Sequence, residues 1–177
     1  MPMASLPGVA NRPALEWNQA NTSALNTQDM TVSAGLNWLR PNKVPLKPGA
    51  REFLVWLRQQ GIRTGIASSN GIELVETVLK AQGIQEYLES VHTCCEVPKG
   101  KPAPDIYLLV AKTLGVKPEE CLVFEDVPMG ILAGKNAGMR VCAVEDTFSA
   151  SQREEKKELA DYYIESYDEI PRERMQP

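Results

Sequence analysis

From Lys43 onward the chain alternates regularly between helix-like and strand-like segments. The helical segments are recognised by the helical spacing of their apolar residues. They begin at Pro or at a polar cap residue and end at Gly. Short apolar runs between them indicate strands, and Cys121–Phe124 is fully apolar. The predicted helices span about residues 48–61, 68–83, 104–115 and 128–138, and the predicted strands are 62–67, 91–97, 121–124, 141–144 and 162–164. This alternation predicts βαβ units, a parallel sheet covered on both faces and therefore a three-layer α/β fold.

Composition excludes several other classes of protein. The chain has 177 residues, 43% hydrophobic and 24% charged, with a formal net charge of −4. These values fit one ordinary globular domain rather than a disordered, collagen-like or coiled-coil chain. Non-specific binding to nucleic acid needs clustered basic charge, so we expect no nucleic acid partner. No apolar run approaches the length of a membrane span and no signal peptide is recognisable, so we expect no membrane association.

The cysteines favour a reducing compartment. Cys121 and Cys142 lie in apolar runs typical of buried thiols, and Cys94-Cys95 has no second pair with which to form a zinc site. A cytoplasmic protein with free thiols is the simplest interpretation. His92 has no metal-ligating neighbours at suitable spacing, so we expect a structural role for it.

Residues 1–42 differ from the rest of the chain. They follow no sustained period and carry few charges, so we expect a mixture of loop and short helix, with weak helices around Ala14–Ala24 and Ser33–Leu39. The predicted domain organisation is therefore this irregular segment followed by a core domain over residues 43–177.

In parallel α/β sheets the functional site lies at the carboxyl ends of the strands. Ser68, Ser69 and Asn70 follow the first predicted strand, where hydroxyl groups and backbone N–H groups at a helix start would suit a phosphate. Taken alone, this pattern favours a plain helix cap. Lys101 precedes Pro102 after the next strand, on a segment that Pro keeps extended, and is predicted to reach the same edge. An exposed loop lysine is the simpler alternative.

Glu125 and Asp126 follow the apolar strand Leu122–Phe124. Adjacent carboxylates at the end of a buried strand repel each other and are costly to desolvate. A divalent cation would remove that cost, and oxygen ligands suit Mg²⁺. Asp126 could instead cap the next helix, but Glu125 has no such role, so the metal interpretation is favoured.

Together these residues resemble the motifs of the haloacid dehalogenase (HAD) superfamily, in particular its β-phosphoglucomutases and small sugar-phosphate phosphatases. Ile66-Ala67-Ser68 is similar to the second family motif, Lys101–Asp105 to the third, and Val123–Asp126 to the fourth. The resemblance implies a Rossmann-like, HAD-like sheet and a Mg²⁺-dependent hydrolase or phosphomutase acting on a small phosphorylated metabolite. It also implies catalytic roles for Ser68 and Lys101, phosphate binding by Ser68, Ser69, Asn70 and Lys101, and metal binding by Glu125 and Asp126.

The first family motif, Asp-x-Asp-Gly-Thr or Val, is absent from the sequence. Its first Asp is the family's nucleophile and its second the general acid and base. Before Asp105 the sequence contains only Asp29, in Asp29-Met30-Thr31, and polar residues precede it, so no buried strand would deliver it to the site. The helical cap that most members insert after the first strand is also unrecognisable, and the resemblance implies that segment 1–42 is a degenerate remnant of this cap.

The resemblance implies that the strand carrying the first motif is central in the sheet. Without it, neighbouring strands would leave backbone groups unpaired. We expect the N-terminal segment, a second chain or a shifted register to close the gap, and an unfilled edge would favour self-association. Two functional interpretations follow. One is a HAD phosphohydrolase impaired by the missing nucleophile, and the other is an inactive remnant or truncated gene product that binds phosphate or metal weakly.

Overall fold

The computed structural model of the chain describes residues 20–22, as backbone, and residues 45–172. The described strands and helices alternate as the sequence predicts, in an α/β fold. In chain order they are β1 (Ala20–Thr22), α1 (Ala50–Gln59), β2 (Gly65–Ser68), α2 (Ile72–Gln82), β3 (Ser90–Thr93), α3 (Asp105–Leu114), β4 (Leu122–Glu125), α4 (Pro128–Asn136), β5 (Arg140–Val144), α5 (Arg153–Leu159) and β6 (Tyr162–Ile164).

All the strand pairs are parallel, which confirms the predicted fold class. One ladder has the order β1-β4-β5-β6, and β2 pairs with β3 in a second. Strand β1 lies beside β2 as well as pairing with β4, so it stands between the two ladders. The carboxyl ends of the strands therefore meet along one edge.

The gap expected in the centre of the sheet is closed from within the chain. Ala20 pairs with Leu122 and Thr22 with Phe124, in parallel register. The expected helix around Ala14–Ala24 is therefore wrong at residues 20–22, which form a strand because pairing with β4 satisfies backbone groups that a helix would leave exposed on β4. Among the described residues β1 pairs with β4 and lies beside β2, and self-association through the sheet edge stays a prediction. The rest of segment 1–42 lies outside the described residues, so the division at residue 42 stays a prediction.

The two faces of β4 and β5 are covered by different helices. Leu122 and Phe124 point to the face covered by α1, through Phe53 and Leu57. Val123 points to the opposite face, with side chains from α3 and α4. This alternation follows from the two-residue period of a strand and produces the predicted three layers.

Helix α4 packs unusually close to the sheet. A Cβ added at Gly134 would come within 2.7 Å of Val141 Cγ2, so a larger side chain would push the helix away. Glycine at this position therefore allows the close approach of α4 to the sheet.

Three local features differ from the sequence-based expectations. The strand predicted over 91–97 ends at Thr93 and continues as a 3-10 turn over Cys94–Glu96. Helix α2 is capped by Gly71 without any side-chain bond, although Ser68–Asn70 were expected to cap it. Helix α5 was not predicted, because its sequence is almost entirely charged and shows no apolar period.

Cys121 and Cys142 are buried free thiols, as predicted. His92 bonds Glu96 at 2.7 Å and Thr113 at 2.8 Å, which agrees with a structural role. Among the described residues, no helix combines the length and apolar character needed to cross a membrane.

Candidate active site at the carboxyl edge of the sheet

Ser68 is the last residue of β2 and lies buried at the carboxyl edge. Its Oγ accepts a hydrogen bond from the backbone N–H of Asn70 at 3.1 Å, which folds the chain into a tight turn before α2. Ser69 is exposed at the tip of this turn, and its carbonyl accepts a bond from the Cys94 thiol at 2.9 Å. Since Gly71 is the helix cap, the Ser68 hydroxyl shapes the turn rather than capping the helix.

Lys101 reaches back across the edge from the loop after β3. Its Nζ donates to the carbonyl oxygen of Ala67 at 3.1 Å and to the carboxylate of Glu125. The ammonium also lies 4.9 Å from the centre of the Tyr107 ring. The side chain is 10% exposed, so the exposed loop lysine considered from the sequence is excluded.

Several hydrogen bonds and a close helix contact hold the Glu125 carboxylate in place. Its Oε1 accepts bonds from Lys101 and from the Tyr107 hydroxyl, and its Oε2 lies 3.3 Å from the backbone nitrogen of Asp126. The carboxylate packs under the first turn of α4, where a Cβ at Gly130 would come within 2.1 Å of the carboxyl carbon. Burial, followed by the neighbouring charge of Glu125, raises the pKa of Tyr107 well above its ordinary value, so the hydroxyl stays protonated and donates.

Asp126 is 4% exposed and has one unsatisfied oxygen. Its Oδ2 has no hydrogen-bond partner among the described residues, although the Lys47 ammonium lies 3.3 Å away. Burial and the adjacent charge of Glu125 raise the pKa of Asp126 to about 6, against the opposing effect of Lys47. A buried carboxylate oxygen without a hydrogen-bond partner is the kind of oxygen ligand that a hard divalent cation binds.

Lys47, Tyr107 and Asp146 belong to this site but were missed in the sequence. Asp146 follows β5, so the rule applied to the other strand ends would have found it. Tyr107 carries no signal apart from helical spacing, and Lys47 lies three residues before the start of α1, where a lysine is unremarkable. Lys47 donates to the Asp146 carboxylate and to the Glu145 carbonyl oxygen at 3.2 Å.

Lys101 reaches the predicted edge of the sheet, where its ammonium is paired with the Glu125 carboxylate, and its binding of phosphate stays a prediction. Metal binding by Glu125 and Asp126 also stays a prediction, and the structure gives the two carboxylates different surroundings. Glu125 is already bonded to Lys101 and Tyr107, whereas Asp126 has an unsatisfied oxygen. Within residues 45–172, no group of three or more His, Cys, Asp or Glu side chains has the arrangement of a complete metal site. Asp126 therefore fits Mg²⁺ as a single ligand.

The strand that closes the gap contributes no carboxylate, since Ala20–Thr22 consists of Ala, Asn and Thr. Asp29 lies outside the described residues. The described part of the site therefore combines a buried lysine, a hydroxyl and two acids, but contains no free carboxylate beside Asp126 that is positioned as a nucleophile.

Comparison with known proteins agrees with this geometry. A model of the haloacid dehalogenase-like hydrolases matches residues 7–138. Hexitol phosphatase B of Escherichia coli K12 is 32% identical over 126 residues, covering 71% of this chain and 56% of that protein. The chain spans about half the length of the curated relatives it matches.

Solved structures show the same fold. CbbY from Rhodobacter sphaeroides, solved with xylulose-1,5-bisphosphate, has a TM-score of 0.69 at 27% identity, covering 75% of this chain and 59% of that one. The β-phosphoglucomutase of Clostridium difficile has a TM-score of 0.66 at 23% identity, over 77% of this chain and 57% of that one. The second likeness is one of fold alone. The match to the family and its sugar-phosphate phosphatase branch confirms the resemblance seen in the sequence.

Proposed function

Because this chain belongs to the haloacid dehalogenase-like hydrolase family, we propose that its site acts on the phosphate ester of a small metabolite, such as a sugar phosphate. The observation that carries the proposal is the position of Lys101. Its ammonium joins the end of β2 at Ala67 to the end of β4 at Glu125. A buried cation at the meeting point of parallel strand ends, bonded to the carbonyl of Ala67 next to Ser68, suits the negative charge of a transferring phosphoryl group.

In this proposal the turn after β2 binds the phosphate. The Ser68 hydroxyl and the backbone and side chains of Ser69 and Asn70 donate to phosphate oxygens. Lys101 is both a phosphate-binding and a catalytic residue, since it neutralises charge that grows on the phosphoryl oxygens during transfer. Glu125 fixes the position of that ammonium, and Tyr107 in turn fixes Glu125 by donating to it.

Asp126 is the proposed ligand for Mg²⁺, with Glu125 beside it contributing negative charge. When bound, Mg²⁺ would neutralise charge on the phosphate. The residues of this chain orient the ester and exclude water from the Lys101–Glu125 pair. The Asp126 carboxylate is suited to a further cationic ligand, because its buried Oδ2 has no hydrogen-bond partner among the described residues.

We also propose that this chain hydrolyses its phosphate ester slowly. A family nucleophile is a carboxylate on the central strand, and Ala20–Thr22 contains none. Hydrolysis then has to proceed by attack of water on phosphorus, with cleavage of the ester P–O bond to release the alcohol and inorganic phosphate. Without a second Asp the leaving oxygen gains no proton from the protein, and general acid–base help is typically worth about 10²–10⁴-fold.

The alternative function is a non-catalytic domain that binds phosphate or metal weakly. It is favoured by the same absence of a carboxylate in β1 and by the close pairing of Lys101 with Glu125, which leaves less positive charge for a substrate. The two functions differ in whether the chain hydrolyses a phosphate ester, since both include binding of phosphate or metal.

The test is a Mg²⁺-dependent phosphate-release assay with a generic aryl phosphate and a panel of sugar phosphates. We expect slow turnover that Lys101→Ala abolishes, with the exposed neighbour Lys99→Ala unchanged. Turnover independent of Lys101 would contradict the proposed site, and no turnover with retained phosphate binding would favour the alternative. Robust turnover lost in Asp29→Asn would identify Asp29 as the nucleophile and refute the low-turnover proposal.

A further inference from the structure

Lys47 places an ammonium group between the ends of two strands. Asp126 follows β4 and Asp146 follows β5, and the Nζ of Lys47 forms ion pairs with Oδ2 of both carboxylates. The contact with Asp126 measures 3.3 Å, and a third contact joins Nζ to the Glu145 carbonyl oxygen at 3.2 Å. The Lys47 side chain is only 12% exposed, so these contacts are screened weakly by water.

The oxygens around this ammonium are those of a cation site. Two carboxylates and one backbone carbonyl surround the charge, which is the ligand chemistry of a hard metal ion. The contacts with the two acids are not equivalent. The Asp146 carboxylate accepts a hydrogen bond from Lys47, whereas the Asp126 oxygen lies at ion-pair distance but lacks a hydrogen-bond partner.

We propose that Lys47 is a built-in counter-cation that occupies the divalent position between Asp126 and Asp146 and keeps the metal affinity of Asp126 low. This inference rests on the proposed function, since it assumes that Asp126 is the metal ligand. Lys47 acts on the metal through Asp126 and is therefore a positioning residue. Mg²⁺ or Mn²⁺ has to displace the ammonium from Asp126, while Lys47 keeps its bonds to Asp146 and to the Glu145 carbonyl.

The sign of the effect follows from the charges. A bound divalent ion and the Lys47 ammonium would lie within a few ångströms of each other, and like charges in a poorly screened site repel strongly. Removing the ammonium removes that repulsion and also frees the Asp146 carboxylate for the metal. Affinity for the divalent ion should therefore rise when Lys47 loses its charge, although a cationic side chain near an active site would ordinarily be expected to help a phosphate enzyme.

The experiment measures binding of Mn²⁺ alone to the full chain, by the electron paramagnetic resonance signal of free Mn²⁺. Lys47→Met should bind Mn²⁺ more tightly than the wild type by about tenfold or more. Lys47→Arg keeps the charge and should bind as the wild type does. Lys80→Met removes an exposed lysine on α2, which is paired with Glu76, and should leave binding unchanged. Asp126→Asn should abolish the site in both backgrounds.

Urea unfolding gives a second measurement if Lys47→Met lowers stability. In EDTA this variant leaves the buried Asp126 carboxylate and the partly buried Asp146 carboxylate without their cation and should unfold at lower urea than the wild type. Saturating Mn²⁺ should stabilise it more than it stabilises the wild type. Equal or weaker Mn²⁺ binding by Lys47→Met, with wild-type binding still dependent on Asp126, would overturn the inference and leave the proposed function intact. Mn²⁺ binding that is insensitive to Asp126→Asn in both proteins would overturn the metal assignment and the inference with it.

Discussion

The carboxylate of Glu125 lies directly against the α-carbon of Gly130, so that a single added methyl group would come within 2.1 Å of the carboxyl carbon. Glycine at this position lets the first turn of α4 cover Glu125. The contact links the backbone of a helix to the group that positions Lys101. It therefore connects the packing of the fold to the charge of the site.

Gly130→Ala should destabilise the protein by about 2 kcal/mol, because neither the helix backbone nor the fully bonded carboxylate can move away without losing contacts. Urea unfolding measures the change. Gly100→Ala is the matched control, since nothing lies within 4 Å of a Cβ at that glycine. Similar stability for the two variants would show that Glu125 has room to shift.

Lys101→Met should lower the free energy of unfolding by about 3 kcal/mol, because it leaves the buried Glu125 carboxylate without its cation. Adding Glu125→Gln to this variant should recover most of that loss, since a neutral amide needs no counter-charge. Activity should not return with stability, because the cation itself is missing. If the double variant were no more stable than Lys101→Met, the pair would not be coupled in the folded protein.

Glu145 should make stability depend on acid pH. Burial opposes its ionisation, but hydrogen bonds from Arg153 and Tyr163 and the charge of Lys156 lower its pKa from 4.5 to about 2. Because the folded-state pKa is depressed, the stabilisation is complete above about pH 4.5 and is lost as pH falls towards 2. Glu145→Gln should therefore cost about 2 kcal/mol at neutral pH and progressively less below pH 4. Urea titrations at a series of pH values test this, and the exposed Glu154→Gln should show no such trend.

Lys156 and Lys157 are adjacent, but their substitution should change the free energy of unfolding by very different amounts. Lys156 is fully buried, and its ammonium donates to Ser149 Oγ at 2.9 Å, while Ser149 donates to the Asp126 carbonyl at 2.6 Å. Lys156→Ala should lower the unfolding free energy by about 3 kcal/mol, through the lost bonds and the cavity. Lys157→Ala, at an exposed ion pair with Glu154, should change it by less than about 1 kcal/mol. Thermal unfolding of the two variants side by side is sufficient to decide.

Asn21→Pro should destabilise the sheet by about 2 kcal/mol or more, because Pro cannot donate to a ladder and is not tolerated in a central strand. Asn21→Ala should have a small effect. Hydrogen exchange at the amides of β4 reports the change locally, and faster exchange at Val123 and Phe124 is the expected result. Unchanged protection of β4 would mean that β1 contributes nothing to the sheet.

The sequence predicted the fold because its signals are local. Gly after each helix, Pro at helix starts and apolar strands such as Leu122–Phe124 are visible without tertiary information. The mostly exposed helix α5 was missed because its sequence carries almost no apolar residues, and its packing depends on one buried lysine, Lys156. The strand β1 was missed because Ala20–Thr22 has no apolar run, and its structure is imposed by pairing with β4.

The site was predicted in its location and only partly in its contacts. Residues after strand ends were the right ones to examine, since parallel strands bring Ser68, Lys101 and Asp126 to one edge. The hydrogen-bond and ion-pair partners of these side chains could not be predicted in the same way. Whether Lys101 faces a ligand or Glu125, and whether Lys47 lies in solvent or against Asp126, depends on packing between segments far apart in the chain.

Because β1 stands between the two ladders, the geometry of the site depends on whether β1 is paired in the sheet. Ser68 lies at the end of one ladder and Asp126 at the end of the other, and three residues of β1 form the seam between the two ladders. Such a short strand can open at a free energy below that of global unfolding. Opening would separate Ser68 from Asp126 while each ladder stayed paired, so the site would be lost before the fold. Sequence changes in residues 20–22, none of which carries a charged side chain, would then act as changes in the fraction of molecules that are competent to bind.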